Sequence, residues 1–365
     1  MPRFSLPADH RPYTDKYFLH TKRILDADGL NPRVTMQVFI RQGPGVVRGV
    51  DEAVAVIEKY ADPAAGGIEV YAVPEGTTYG PKDSLLHIVG PYAAFAELET
   101  MYLGVITAAT TMENDADIDL AAVRAKAGRI RALMPDKDLM YFGARHWHFS
   151  RDAEISRAAV EGGFTSCSTD AGAKAAGLAA GVGTIPHALC LVYGHAFGRE
   201  RGTVEAAKAF DRHIEAENPR IALVDTFERE IDDSLSTARE VSRLAGVRLD
   251  TAGESLAQGG LPFDGRTYWT GPGVTVEGVA AVRRALDAAG LDRVSIVLSS
   301  GFGDEEKLRA FAEGERRHGR LFTSLGIGGI FPARHATADI VQIEGRDFAK
   351  VGRSYRENPL MRRVL

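Results

Sequence analysis

The stretch IALVDTFEREIDDSLSTAREVSRLAGVRLDT (221–251) decides how this chain folds. Two short apolar runs, IALVDTF (221–227) and GVRLDT (246–251), flank a segment with helical character at 230–245. Both runs reach Asp-Thr at their far end, Asp225-Thr226 and Asp250-Thr251. Strand, helix and strand in this order form a βα unit with parallel strands. The pattern continues on both sides. Helices are predicted over 117–134, 151–163, 171–178, 203–216, 275–290 and 304–315. The strands LMYFGAR (139–145), FTSCST (164–169), VSIVLSSG (294–301) and LFTSLGIGG (321–329) fall among them.

About six such repeats predict an α/β fold built on a (β/α) barrel, irregular or incomplete, with an open doubly wound sheet as the alternative. Polar residues stand at the predicted strand ends: Arg145, Ser166 and Ser168, Asp225, Arg248 and Asp250, Ser299 and Ser300, and Gly326. Barrel enzymes collect their chemistry at that face, whereas an open sheet concentrates ligand contacts at one switch point. The first 110 or so residues differ and read as an α+β module. VTMQVFIRQ (34–42) alternates like a strand, and DEAVAVIEKYA (51–61) is an amphipathic helix with acidic residues at its start. Segments 67–76 and 85–92 are strands with turns, and 95–115 is a long helix. The Gly/Pro-rich stretch 253–273 is long enough to be a lid or a dimer contact.

The chain has 365 residues, 45% hydrophobic and 25% charged, with a net charge of −5. That balance disfavours nucleic acid as a partner, since phosphate backbones select strongly basic faces; a locally basic pocket for a small anion remains compatible with it. Cys167 and Cys190 lack CxxC spacing and are too few for a zinc site, so two reduced thiols in a cytoplasmic protein are expected. The N-terminus shows no apolar signal-peptide core, and no run approaches the roughly 18–20 apolar residues of a membrane span.

Several groups of residues carry chemistry. SSGFGDEEK (299–307) ends a strand and starts a helix, where backbone NH groups hold phosphate well; SLGIGG (324–329) is a second turn of this kind. Most glycine-rich turns merely reverse the chain, but an adjacent pair at strand ends predicts a phosphate cradle. Asp225, Arg248 and Asp250 lie beside two strand ends. As carboxylates the two aspartates either cap the following helices or bind Mg²⁺ and ribose hydroxyls, and Asp250 is placed to oppose positive charge on a ribose C1. His187 in GTIPHAL follows a turn and suits a nucleophile or base, although lone histidines are more often structural. His146 and His148 stand two apart, which suits metal chelation but more ordinarily a surface role. Phe142 and Tyr17 are aromatics able to sandwich a flat ring, and otherwise core residues.

FGAR (142–145), GGFTSCST (162–169), GTIPHAL (183–189), VDTF, VRLDT, SSG and GIGG occur in an order and spacing that resemble the nicotinate phosphoribosyltransferase family, its compact archaeal-type members above all. TDKY (14–17), VFIR (38–41), LET (98–100), ADIVQIEG and AKVGR (338–353) extend the likeness over nearly the whole chain. The resemblance implies an α/β sandwich domain over 1–115, rejoined by 335–365, on an irregular, incomplete (β/α) barrel over 116–334. It also implies a head-to-tail homodimer. The implied reaction joins nicotinate to 5-phosphoribosyl-1-pyrophosphate with Mg²⁺ present, optionally coupled to ATP. Phe142 and the partner's Tyr17 would stack the pyridine ring, and Arg145 and Arg248 would face its carboxylate and the pyrophosphate. Ser168, where nicotinamide-using relatives carry aspartate, would favour an acid over an amide. His187 would be the phosphorylated histidine. Ser300, Gly301, Asp304, Gly326, Gly328 and Gly329 would hold the 5′-phosphate, with Arg41, Lys350 and Arg353 near the phosphates. Asp225 and Asp250 would serve catalysis and Mg²⁺. Ala252-Gly253-Glu254-Ser255 departs from the family pattern of serines and an arginine, and adds an acid near the expected phosphates. A sister transferase for quinolinate and a non-catalytic nucleotide-binding paralogue are the alternatives.

Overall fold

The computed structural model describes residues 4–63 and 66–365. The first part runs α1 (Lys16–Asp28), β1 (Arg33–Ile40), β2 (Gly45–Val46), α2 (Val50–Tyr60), β3 (Glu69–Ala72), β4 (Thr78–Tyr79), β5 (Ser84–Pro91) and α3 (Glu99–Asn114). It continues with α4 (Leu120–Leu133), β6 (Asp138–Tyr141), α5 (Asp152–Glu161), β7 (Ser166–Cys167), α6 (Asp170–Ala175), α7 (His187–Phe197), α8 (Arg199–His213), β8 (Arg220–Leu223), α9 (Glu230–Glu240) and β9 (Leu244–Leu249). The chain ends with α10 (Val276–Ala288), β10 (Ser295–Leu298), α11 (Glu305–His318), β11 (Ser324–Ile327), β12 (Ala336–Ile343), β13 (Arg346–Asp347) and β14 (Arg362–Arg363).

These elements make two six-stranded sheets. One has the order β13-β12-β1-β5-β3-β14, with antiparallel pairing throughout. Strand β1 is central and buried over seven of its eight residues: Val34, Met36, Val38 and Ile40 turn one face into the apolar core, while Thr35, Gln37 and Phe39 are covered on the other. The other sheet is parallel, in the order β7-β6-β11-β10-β9-β8. From β8 to β11 and on through β6 to β7, each neighbour is one step further in a single direction, and the last strand of the series, β11, pairs with the first, β6. A doubly wound sheet would reverse direction at a switch point. None occurs here.

Register sets the site. Leu249, Leu298 and Leu325 lie opposite one another, so Asp250, Ser299 and Gly326 follow in one row at the C-terminal edge. Leu223 pairs with Arg248, which brings Asp225 level with Asp250.

Two helices depart from expectation. The sequence pattern leaves α1 unpredicted, although its buried residues Tyr17, Phe18, Thr21, Ile24 and Leu25 follow helical spacing and Gly29 ends it in the left-handed conformation at φ 65°. Helix α7 is buried from Ala188 to Gly194 without interruption, so it has no polar face to reveal its period. It packs into the core of the antiparallel sheet and touches β12. The boundary at 240–246 also shifts: α9 ends at Glu240, and β9 begins at Leu244. Among the described residues, no helix is long and apolar enough to cross a membrane.

Candidate active site

The C-terminal edge of the parallel sheet faces the antiparallel sheet across a cavity of about 430 Å³. Residues after β6, β9, β10 and β11 line one side, and residues 337–340 of β12 with Met36 of β1 line the other.

At one end sits an aromatic ring beside a cation. Phe142, just after β6, lies against Gly326, where an added Cβ would come 2.4 Å from the ring. Any side chain at 326 would therefore displace Phe142. Arg145 donates from Nη1 to the Tyr17 hydroxyl at 2.9 Å and to Glu99 Oε1 at 3.2 Å. Tyr17 lines the cavity of its own chain. Burial, helped by Asp339 and Asp15, outweighs Arg145 and pushes the Glu99 carboxyl up to about 8. At neutral pH Glu99 is then largely uncharged, and the guanidinium charge stays free for an anionic ligand. Ser168 does not line the cavity. It is buried beside Asp15, and its carbonyl accepts from Lys16 N at 2.8 Å.

The centre is a charged cluster. His187 is the first residue of α7 and follows Pro186 at the helix cap. Lys350 Nζ donates to Asp225 Oδ2 at 2.5 Å and to the Asp250 carbonyl at 3.1 Å, and lies 2.8 Å from His187 Nε2. On the other side of the ring, His187 Nδ1 lies 3.0 Å from Thr226 Oγ1. Asp250 Oδ2 is 3.4 Å from His187 Nε2. Burial alone would raise the Asp250 carboxyl, but His187, Lys350 and Arg248 hold it far below the usual carboxylate range. It is an anion at every working pH. Asp225 is buried behind Lys350, outside the cavity lining, with Oδ1 unpartnered. Arg248 donates to the Ile185 carbonyl at 3.0 Å, while its buried Nε has no partner.

The far end carries the glycine turns. Ser300 and Gly301 follow β10 at φ 74° and 78°, a tight curl of the kind that turns successive NH groups to one side. Ser299 Oγ is buried there without a partner. Lys307 donates to the Ser300 carbonyl at 2.8 Å, and burial lowers its pKa to about 8. The second turn touches the first: a Cβ on Gly303 would lie 1.9 Å from the Gly329 carbonyl oxygen. Asp304 lies outside the cavity lining and caps α11, accepting from Glu306 N at 2.8 Å and from the Tyr268 hydroxyl at 2.5 Å. Its observed contacts are those of a helix cap. Arg41 and Arg353 line the mouth.

Fourteen of the expected residues therefore share one cavity: Tyr17, Arg41, Phe142, Arg145, His187, Arg248, Asp250, Ser300, Gly301, Gly326, Gly328, Gly329, Lys350 and Arg353. Ser168, Asp225 and Asp304 stand outside its lining. Sequence reasoning missed Glu99, Lys307 and the His146–His335 pair. His146 is no surface residue. It lines the cavity, lies tilted against His335 at 4.1 Å between ring centroids, and is driven neutral by burial. His148 turns to Glu52 at 3.2 Å instead, so the two histidines do not form a chelate.

A family profile described as the N-terminal domain of quinolinate phosphoribosyl transferase matches residues 15–110. A nicotinate phosphoribosyltransferase of Mycobacterium tuberculosis is 27% identical, over 95% of this chain and 75% of its own length. The crystal structure of a nicotinate-nucleotide pyrophosphorylase from Pyrococcus furiosus is 32% identical, with 98% of this chain and 82% of that chain covered and a TM-score of 0.48. The crystal structure of a nicotinate phosphoribosyltransferase from Vibrio cholerae has a TM-score of 0.67 at 14% identity, covering 96% of this chain and 90% of that one. The last is a likeness of fold.

Proposed function

The chain belongs to the nicotinate phosphoribosyltransferase family, and from that premise we propose that it transfers the phosphoribosyl group of 5-phosphoribosyl-1-pyrophosphate to nicotinate, releasing pyrophosphate. The observation that carries this is Arg145, held by Tyr17 beside Phe142 and next to a neutral Glu99, in the cavity that also holds Asp250 and both glycine turns. Phe142 and Tyr17 hold the flat ring, and Arg145 binds its carboxylate. The turns at 299–303 and 326–329 hold the 5′-phosphate. As pyrophosphate leaves C1, the anionic Asp250 opposes the growing positive charge, and the ring nitrogen takes its place. Positioning and electrostatics do most of the work.

Magnesium belongs to the same reading. Among the described residues, no three His, Cys, Asp or Glu side chains gather as a cage. Asp225 is already compensated by Lys350, so Asp250 is the carboxylate placed to share a Mg²⁺ that arrives on the diphosphate, in keeping with that ion's habit of binding through substrate phosphates and its own waters. Bound Mg²⁺ would draw off negative charge from the leaving group. ATP coupling is part of the same reading, with His187 in the cavity lining; its Nε2 would first have to be released by Lys350. The parallel sheet is read as an incomplete (β/α) barrel opened between β7 and β8, carried by a sandwich domain of 1–115 that 335–365 rejoin. A homodimer is part of this reading, and the exposed Leu261 and Phe263 supply apolar surface for it.

Quinolinate is the second acceptor to consider, because the unpartnered Arg248 Nε offers a further donor for a second carboxylate. End-point assays with nicotinate, nicotinamide and quinolinate, each with phosphoribosyl pyrophosphate and Mg²⁺, decide between them. Nicotinate mononucleotide formed from nicotinate alone, and lost at least 100-fold in Asp250→Ala, is expected. Product from quinolinate alone would transfer the assignment, and ATP stimulation should vanish in His187→Ala.

A further inference from the structure

Glu254 lies in the loop after β9, four residues beyond Asp250 and next to Gly253 of the cavity lining. Its Oε1 accepts from Arg41 Nη1 at 2.7 Å and from Lys82 Nζ at 2.7 Å, and its Oε2 is 3.4 Å from Arg353 Nη1. The three cations come from separate places, just past β1, between β4 and β5, and after β12. Like charges converge on one point only when an anion holds them there. Among the described residues, Glu254 is the one carboxylate on Arg41 and Lys82, while Arg353 also has Asp339 Oδ2 at 2.7 Å. The side chain of Glu254 is 30% exposed, so solvent borders it on one side. The carboxylate therefore has room to swing out.

We propose that Glu254 is a tethered competitor for the pyrophosphate group: in the free protein its carboxylate occupies the Arg41–Lys82–Arg353 cations, and an incoming diphosphate has to expel it. One carboxylate supplies a single negative charge to these cations, whereas a diphosphate supplies several and can engage all three. Displacement is thus favourable, but it weakens apparent affinity by the fraction of time the site is open. If the open state is about one tenth of the total, removing the carboxylate tightens binding about tenfold. The substrate affected rests on the phosphoribosyl-transfer reading above. The competition itself needs only an anion.

The test is titration of inorganic pyrophosphate, followed by calorimetry, into the full chain and into Glu254→Gln, with Glu254→Asp as a charged but shorter control. Glu254→Gln should bind about tenfold more tightly and lower KM for phosphoribosyl pyrophosphate with kcat within about twofold. Glu254→Asp should fall between. Without ligand, Glu254→Gln should melt earlier than the parent because its cations repel, and pyrophosphate should restore the difference. Equal or weaker binding by Glu254→Gln would make Glu254 an organiser of the cations and overturn the proposal. No pyrophosphate binding by either protein would overturn it together with the phosphoribosyl reading. Tighter binding with no nucleotide product from any acceptor would sustain the competitor and reject only the reaction.

Discussion

Glu99 shows how one buried group can tune a ligand site. Its carboxyl is pushed up to about 8, mainly by burial, while it accepts from Arg145. Above that pH it ionises and competes with the nicotinate carboxylate for the same guanidinium. KM for nicotinate is expected to rise as pH passes 8, with Glu99→Gln abolishing the rise; initial rates from pH 6.5 to 9.5 measure it. Stability follows the same proton. An unfolded chain releases it near the ordinary glutamate value, whereas the folded chain keeps it until about pH 8. The stabilisation is therefore complete below the unfolded value and is lost as pH rises through 8. Denaturant midpoints of Glu99→Gln should vary less with pH over that window. Nothing local marks Glu99 as special in LET (98–100). Its role comes from Arg145, 46 residues away in sequence, and no periodicity reports that pairing. Arg248 and Asp250 were legible because strand ends are themselves legible.

At the scale of elements, the two glycine turns act as one part. The Gly303 position sits against the Gly329 carbonyl, with 1.9 Å available to a Cβ, so the backbone has to move if a methyl is added. Gly303→Ala is expected to separate the turns after β10 and β11, raising KM for phosphoribosyl pyrophosphate at least tenfold and lowering stability by about 1–3 kcal/mol. Steady-state kinetics and urea unfolding measure both. The turns could be found from their composition, but their mutual contact could not, because it depends on parallel pairing between β10 and β11. Helix α7 was hidden for a different reason. Apolar residues cover it all round, and it lacks the alternation that marks a surface helix. From sequence His187 only follows a turn at the edge of the expected site; it lines the cavity as the first residue of a buried helix.

At the scale of the molecule, Lys350 ties the C-terminal segment to the parallel sheet. It follows β12, whose partner is β1, and its ammonium lies between Asp225 and the Asp250 carbonyl. Assigned from sequence to the phosphates, it lines the cavity and also compensates a buried carboxylate. Lys350→Met should leave Asp225 unpaired, lower stability by about 3–5 kcal/mol and abolish turnover. Chemical denaturation beside an activity assay separates the two effects.

The pairing of β1 with β12 joins residues 33–40 to residues 336–343. During synthesis the central strand of that sheet waits for a neighbour about 300 residues downstream. At typical translation rates the delay is roughly 15–60 s. For that interval one whole edge of β1 stays open to other chains. The emerging chain is thus most vulnerable to aggregation well before its active site exists. A helper that shields a strand edge would matter most during the synthesis of the parallel sheet.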